Sequence, residues 1–132
     1  MNEPNNPTIR RMPTHCGDET CASCVVAGNT VYLAHHAGGF DKADAAHQAR
    51  AAFESINRTL AAVGGSVKDV VQVHLYLKDL KDFGAARAVF NEFFEPGGFP
   101  ARMTSQTAFL DNACLCMLDG VAVLPMVREG TL

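Results

Sequence analysis

Three cysteines near the N-terminus have types and spacing that could support chemistry. Cys16, Cys21 and Cys24 follow a C-x4-C-x2-C pattern, which opens a plant-type iron–sulfur loop and is also compatible with zinc. A fourth ligand would have to come from elsewhere, and the candidates are His15, His35, His36, Cys114 and Cys116. Alternation along the strand predicted for residues 113–124 points both Cys114 and Cys116 toward the core. The pattern therefore favours core and loop thiols over a metal site, and we expect no bound metal or other cofactor.

Two adjacent histidines, His35 and His36, are the next candidates. They lie at the end of a predicted strand, where neighbouring side chains point to opposite faces. Only one of them can therefore line a cleft. That imidazole could serve as a general acid or base near neutral pH. The alternative is a histidine that is satisfied by backbone groups at the strand end.

Hydrophobic periodicity predicts the elements that must position these residues. Two strands fill residues 24–37 around a Gly28-Asn29 turn, and a helix begins after Asp44 and ends at Gly64-Gly65. A strand follows at 71–77, then a helix within 81–95, and finally strands at 103–110 and 113–124. The order ββαβαββ predicts an α+β fold with two helices on one face of a sheet.

The strand at 71–77 alternates strictly between apolar and polar side chains. We expect one face to be buried, and its residues are Val71, Val73, Leu75 and Leu77. The other face would carry Gln72, His74, Tyr76 and Lys78. That polar face must meet water or another subunit.

Length and composition limit the possible classes of protein. The chain has 132 residues, 48% of them hydrophobic, and a net charge of −3. We expect a flexible lead-in at residues 1–14 and a single domain at 15–132. The acidic balance argues against nucleic-acid binding. The short apolar runs predict no membrane span, and we expect a cytoplasmic protein whose cysteines are reduced.

Four segments of the chain resemble the Rid family, which is also called YjgF or L-PSP endoribonuclease-like. They are AGNTVYLA at 27–34, LYLKDLKDF at 75–83, FNEFF at 90–94 and FPAR at 99–102. The resemblance implies a chorismate-mutase-like fold that assembles as a homotrimer with a cleft at each subunit boundary. It also implies hydrolysis of small enamines and imines such as 2-aminoacrylate to a 2-keto acid and ammonia.

The same resemblance assigns roles to single residues. Arg102 of the PAR motif would hold the substrate carboxylate, which suits a guanidinium because its donors match a carboxylate in pairs. The deaminase subgroup carries a glutamate where this chain has Met117, and a thioether cannot act as a general base. Asp119, or His35 or His36, would then have to handle the water. Cys21 falls at the position of a cleft tyrosine, and Arg87 at a position that is often asparagine.

Two functions are therefore compatible with the sequence. The first is a hydrolase or deaminase of small imine- or enamine-type carboxylates, with Arg102 as the carboxylate anchor. The second is a ligand-binding or thiol-bearing trimer that uses the same cleft without turnover, which the loss of the glutamate favours. The only partners expected are a small carboxylate and other copies of the chain. An acidic chain without Trp or a basic patch is a poor RNA binder.

Overall fold

A computed structural model describes residues 8–125 of the chain. Its strands are β1 (Ile9–Arg11), β2 (Cys24–Ala27), β3 (Thr30–His36), β4 (Val70–Leu77), β5 (Ala101–Gln106) and β6 (Cys116–Val123). The helices are α1 (Ala45–Ala61) and α2 (Phe83–Phe93), with short 3₁₀ turns at Val67–Asp69 and Leu80–Asp82. The six strands form one sheet in the order β1-β2-β3-β6-β4-β5. Only β4 and β5 pair in parallel among these neighbours. The predicted α+β class is confirmed.

Both helices cover the same face of the sheet, and the core lies between the two layers. Val73, Leu75 and Leu77 of β4 point into this core and are buried. Phe53 of α1 is fully buried and packs against three aromatic rings of the α2 region, those of Phe90, Phe93 and Phe94. Aromatic side chains bury large apolar areas, so this cluster fixes α2 against α1.

The strand β1 falls within the segment predicted to be a flexible lead-in. Ile9–Arg11 pairs antiparallel with β2, and the amide of Met12 donates to the carbonyl of Cys24 at 3.0 Å. The nearby prolines and asparagines favoured a flexible segment in the sequence analysis. The strand has no hydrophobic pattern to reveal it, because backbone hydrogen bonds rather than buried side chains hold it in place. Its three residues are all exposed. The first seven residues of the predicted lead-in lie outside the described residues.

The register of β4 corrects one detail of the predicted alternation. Val71 is exposed although its pattern placed it inside. The pairing of β4 with β6 shifts between Val70 and Gln72, and a bulge of this kind turns the affected side chain away from its expected face. From Val73 onward the predicted alternation is confirmed.

The last two strands are shorter than predicted, because residues 107–115 form a loop between them. Gln48 of α1 secures this loop from inside the protein. Its fully buried amide donates to the carbonyls of Lys42 and Ala113, each at 2.9 Å, and accepts from the amide of Leu115 at 2.7 Å. A buried polar side chain whose hydrogen bonds are satisfied can hold a loop that hydrophobic packing does not fix.

Candidate functional site

A cavity of about 350 Å³ lies between α2 and the start of β5. We call it the arginine pocket, and its lining residues are Arg87, Phe90, Asn91, Phe99, Pro100 and Arg102. The pocket combines two cationic side chains with an apolar wall. Strand β5 is at the edge of the sheet, so the pocket adjoins a strand that has no second neighbour within the described part of the chain.

The Arg102 guanidinium lies over two aromatic rings, one of which, Phe90, also lines this pocket. Its central carbon lies 5.3 Å from the ring centre of Phe83 and 5.4 Å from that of Phe90. Within residues 8–125 it forms no ion pair with a carboxylate. A cation–π contact with such rings orients a guanidinium while leaving the N–H donors that point away from the rings available. The geometry therefore presents a positioned cation that could bind an anion.

A second cavity, of about 180 Å³, contains the other predicted site residues. We call it the histidine pocket, and its lining residues are His15, Cys16, His35, Ala37, Phe40, Ser55 and Met117. His35 is exposed here, and within the described residues neither of its ring nitrogens forms a hydrogen bond. An imidazole in this state can accept or donate a proton to a bound molecule.

His36 is placed differently from its neighbour. It is fully buried, its Nδ1 donates to the carbonyl of Ala34 at 2.7 Å, and its Nε2 accepts from the hydroxyl of Thr59 at 2.8 Å. Burial, together with repulsion from nearby cations and imidazoles, lowers the pKa of His36 to about 4. The prediction that only one of the pair can line a cleft is consistent with this arrangement. His36 is a satisfied core histidine, and neither of its ring nitrogens is free for the acid–base role that was predicted for it.

Asp119 lies on the sheet face that the helices leave uncovered. Its carboxylate accepts a hydrogen bond of 2.7 Å from the hydroxyl of Tyr76. Burial and this carboxylate raise the pKa of Tyr76 to about 12, so Tyr76 remains a donor to Asp119 at any physiological pH. Asp119 is half-buried and already accepts a hydrogen bond from Tyr76. His35, whose ring nitrogens have no such partner within residues 8–125, is therefore the better acid–base candidate.

Strand register places the predicted site residues on opposite faces of the sheet. Arg102 pairs with Val73, which points to the helices. Met117 pairs with Tyr76 and Asp119 with His74, so both point to the uncovered face. Side chains of paired residues share a face. Within one chain, therefore, the carboxylate anchor and the predicted water-handling residues are not brought together.

The five cysteines divide between core and surface. Cys24, Cys114 and Cys116 are buried. Burial raises the pKa of Cys114 to about 11 and that of Cys116 to about 12, so both stay as thiols. Alternation correctly placed Cys114 and Cys116 in the interior. The structure brings an exposed Cys16 to the histidine pocket rather than the predicted Cys21.

Cys21 is half-buried in the loop before β2, and its Sγ lies 3.4 Å from the carbonyl oxygen of Ala22. It lines neither pocket. Across residues 8–125, no group of three or more His, Cys, Asp or Glu side chains is arranged to hold a metal ion. Neither described helix has the length and apolar character needed to span a bilayer.

Sequence reasoning missed several lining residues, and the signals for them were weak. Asn91 and Phe99 lie within the FNEFF and FPAR segments, but only the path of the chain from α2 into β5 places them around one cavity with Arg102. His15, the first residue after the predicted lead-in, is predicted from the sequence only as a candidate metal ligand, whereas its ring stacks on that of His36 with 4.1 Å between centres. Its Nε2 donates to the carbonyl of His35 at 2.6 Å. No local sequence pattern predicts this contact, because the two residues are 20 positions apart.

Two helices cover one face of a six-stranded sheet, and Arg102 on the edge strand has no carboxylate partner among residues 8–125, so the chain is an α+β protein with a candidate anion site. The sequence model of the family "Endoribonuclease L-PSP" matches residues 21–124. The chain therefore belongs to the endoribonuclease L-PSP family, whose members are also called YjgF or Rid proteins. This confirms the family expected from the sequence.

Individual relatives agree with this assignment. The chain is 31% identical over 107 residues to a RutC family protein of Pyrococcus horikoshii, with 76% of this chain and 84% of that protein covered. It is 29% identical over 109 residues to a 2-iminobutanoate/2-iminopropanoate deaminase of Dermatophagoides farinae, with 78% and 84% covered. Its fold matches a YjgF-family crystal structure from Neisseria meningitidis with a TM-score of 0.84 at 21% identity, over 93% of this chain and all of that one.

Proposed function

We propose that this protein hydrolyses small imine- or enamine-type carboxylates, with Arg102 holding the substrate carboxylate. The observation that carries the proposal is the Arg102 guanidinium, which lies over two aromatic rings and has no acidic partner in the described residues. The similarity to a deaminase named for two 2-imino acids supports the reaction class. A bidentate contact from arginine would fix one end of such a substrate.

The reaction balances without a cofactor. An enamine such as 2-aminoacrylate first tautomerises to its imine by moving a proton from nitrogen to carbon. Water then adds to the C=N carbon, and the resulting amino alcohol expels ammonia as the C=O bond forms. Addition of water places one of its protons on the nitrogen. The nitrogen gains a second proton before ammonia leaves, and the hydroxyl loses its proton as the C=O bond forms. A single imidazole can take up and return the proton in each of these steps.

His35 is the group we assign to those transfers. It is exposed in the histidine pocket beside Met117, the position at which the deaminase subgroup carries its glutamate. Asp119 is held by Tyr76, and His36 is buried. We assign Asp119 to positioning Tyr76 rather than to the chemistry.

Because Arg102 and Met117 face opposite sides of one sheet, we propose that the complete site forms between two copies of the chain. One copy would provide the arginine pocket and the next the histidine pocket, in the homotrimer expected from the resemblance. Tyr32, Met103 and Val123 support such an assembly, since all three apolar side chains lie exposed on the uncovered face. Burying them against another copy would be favourable.

The test is the hydrolysis rate of freshly generated 2-aminoacrylate, followed as pyruvate and ammonia above the spontaneous rate. We expect activity in the wild type and a loss of about tenfold to a hundredfold in kcat/KM for Arg102→Gln, the range of a lost charge-assisted contact. Arg58→Gln removes the same charge from α1 outside the arginine pocket and should change little.

Met117 supports a second candidate function, binding without turnover. A thioether lies where a proton-accepting carboxylate would serve hydrolysis. If the wild type binds 2-keto acids through Arg102 but does not accelerate hydrolysis, the ligand-binding trimer is the correct function. If Arg102→Gln hydrolyses 2-aminoacrylate as fast as the wild type, the anchor role is wrong.

A further inference from the structure

The arginine pocket contains a second cation that binding of a single carboxylate does not require. Arg87 lies on α2 one turn before Asn91, and both side chains line the pocket together with Arg102. Residues four apart on a helix share a face, so α2 directs Arg87 toward the same cavity as Asn91. The cavity thus carries two guanidinium groups.

No acidic side chain in the lining offsets this charge. The only acid within α2 is Glu92, and both of its oxygens are occupied by Arg50 of α1, at 2.6 and 2.7 Å. Neither Arg87 nor Arg102 forms an ion pair with a carboxylate of residues 8–125. Two like charges around one cavity repel each other, and a ligand with two negative charges would remove that repulsion.

The rest of the lining suits the carbon chain of such a ligand. Phe90, Phe99 and Pro100 form an apolar wall beside the two arginines. Methylene groups gain free energy when they leave water for such a surface. A cavity of about 350 Å³ is large enough for a ligand of four or five carbon atoms.

We propose that the preferred substrates are small dicarboxylates, 2-imino acids that carry a second carboxylate at the far end of a short chain. Arg102 would hold the carboxylate next to the reacting carbon, and Arg87 would hold the distal one. This inference rests on the proposed function, because it names the substrate class of the same pocket. Arg87 is then the residue that determines specificity, and it takes no part in the proton transfers.

The experiment compares two stable 2-keto acids that differ only at the distal end, 2-ketoglutarate and 2-ketopentanoate. Dissociation constants are measured by calorimetry on the assembled wild-type protein and on Arg87→Gln, Arg102→Gln and Arg58→Gln. We expect the wild type to bind 2-ketoglutarate about tenfold or more tightly than 2-ketopentanoate. Arg87→Gln should abolish that preference, because it should weaken 2-ketoglutarate binding much more than 2-ketopentanoate binding, while Arg58→Gln should keep it.

The outcomes distinguish failure of the dicarboxylate assignment from failure of the proposed function. Equal affinity of the wild type for the two acids, or a preference that persists in Arg87→Gln, overturns the dicarboxylate assignment while Arg102 retains its role. If Arg102→Gln binds 2-ketopentanoate as well as the wild type does, the proposed anchor itself is wrong. A preference lost equally in Arg58→Gln would show general attraction by net charge, which also overturns the inference.

Discussion

At the scale of single residues, the neighbouring histidines show how far local sequence can be read. Alternation predicted that His35 and His36 point to opposite faces, and this is what their environments show. It could not say which one is buried, because that depends on Thr59 of α1 reaching His36 at 2.8 Å. The identity of Arg102 as a candidate site residue came from the FPAR segment, whereas its two stacking rings became visible only in the fold.

His36 makes stability depend on pH in a defined direction. Its pKa is lowered from 6.5 to about 4 in the native state, mainly by burial. Between these values the unfolded state binds more protons, so unfolding free energy should fall as pH decreases from 6.5 toward 4. The pKa difference corresponds to roughly 3 kcal/mol.

Urea unfolding at a series of pH values measures this effect. His36→Gln should flatten the decline between pH 6.5 and 4, and His35→Gln, which changes an exposed imidazole, should retain it. A decline of the same steepness in His36→Gln and the wild type would show that His36 is not its source.

At the scale of elements, the helices and the hairpin could be predicted because their signals are local. Asp44 precedes the apolar periodicity of α1, and Gly28-Asn29 separates β2 from β3. Strand β1 and the ends of β5 and β6 could not be predicted, because strand pairing and loop geometry determine where they lie. Gln48 gives the clearest case, since its bonds to the 107–115 loop join residues up to 67 positions apart.

The N-cap of α1 provides an element-scale prediction. The Asp44 carboxylate accepts hydrogen bonds from the amides of Ala46 at 2.9 Å and His47 at 3.2 Å. Asp44→Ala should therefore lower the unfolding free energy by about 1 kcal/mol. Asp82 is a matched control, because it precedes α2 without forming a side-chain cap bond. Asp82→Ala should cost clearly less in urea unfolding, and equal losses would contradict the capping role.

At the scale of the whole molecule, two features lead us to expect that copies of the chain assemble. One is the uncovered sheet face, and the other is the placement of Arg102 and Met117 on opposite faces of the sheet. The sequence predicted a polar face on β4 that would meet water or another subunit, and the structure adds exposed apolar side chains on the neighbouring strands. Sequence alone could not reveal that Arg102 and Met117 lie on opposite faces. That fact depends on the parallel pairing of β5 and the antiparallel pairing of β6, both with β4.

Met103 offers a test of this assembly. Its side chain is 62% exposed on the uncovered face. We expect sedimentation velocity to give the wild type about three times the chain mass of 14.1 kDa, and Met103→Asp to reduce it, since a charge at an apolar interface is costly. Leu80→Asp changes a residue that is 54% exposed near the start of α2 and should leave the trimer intact. A monomeric wild type would contradict the assembly.

The most direct measurement of the central claim is a crystal structure of the protein with 2-ketobutanoate, a stable product-like acid. We expect its carboxylate to lie against the Arg102 guanidinium with paired N–H···O contacts of about 2.8 Å. His35 of a neighbouring copy should lie within about 3.5 Å of the keto group or of a water beside it. A ligand bound away from Arg102, or a site completed within a single chain, would show that Arg102 is not the anchor or that the site is not shared between copies.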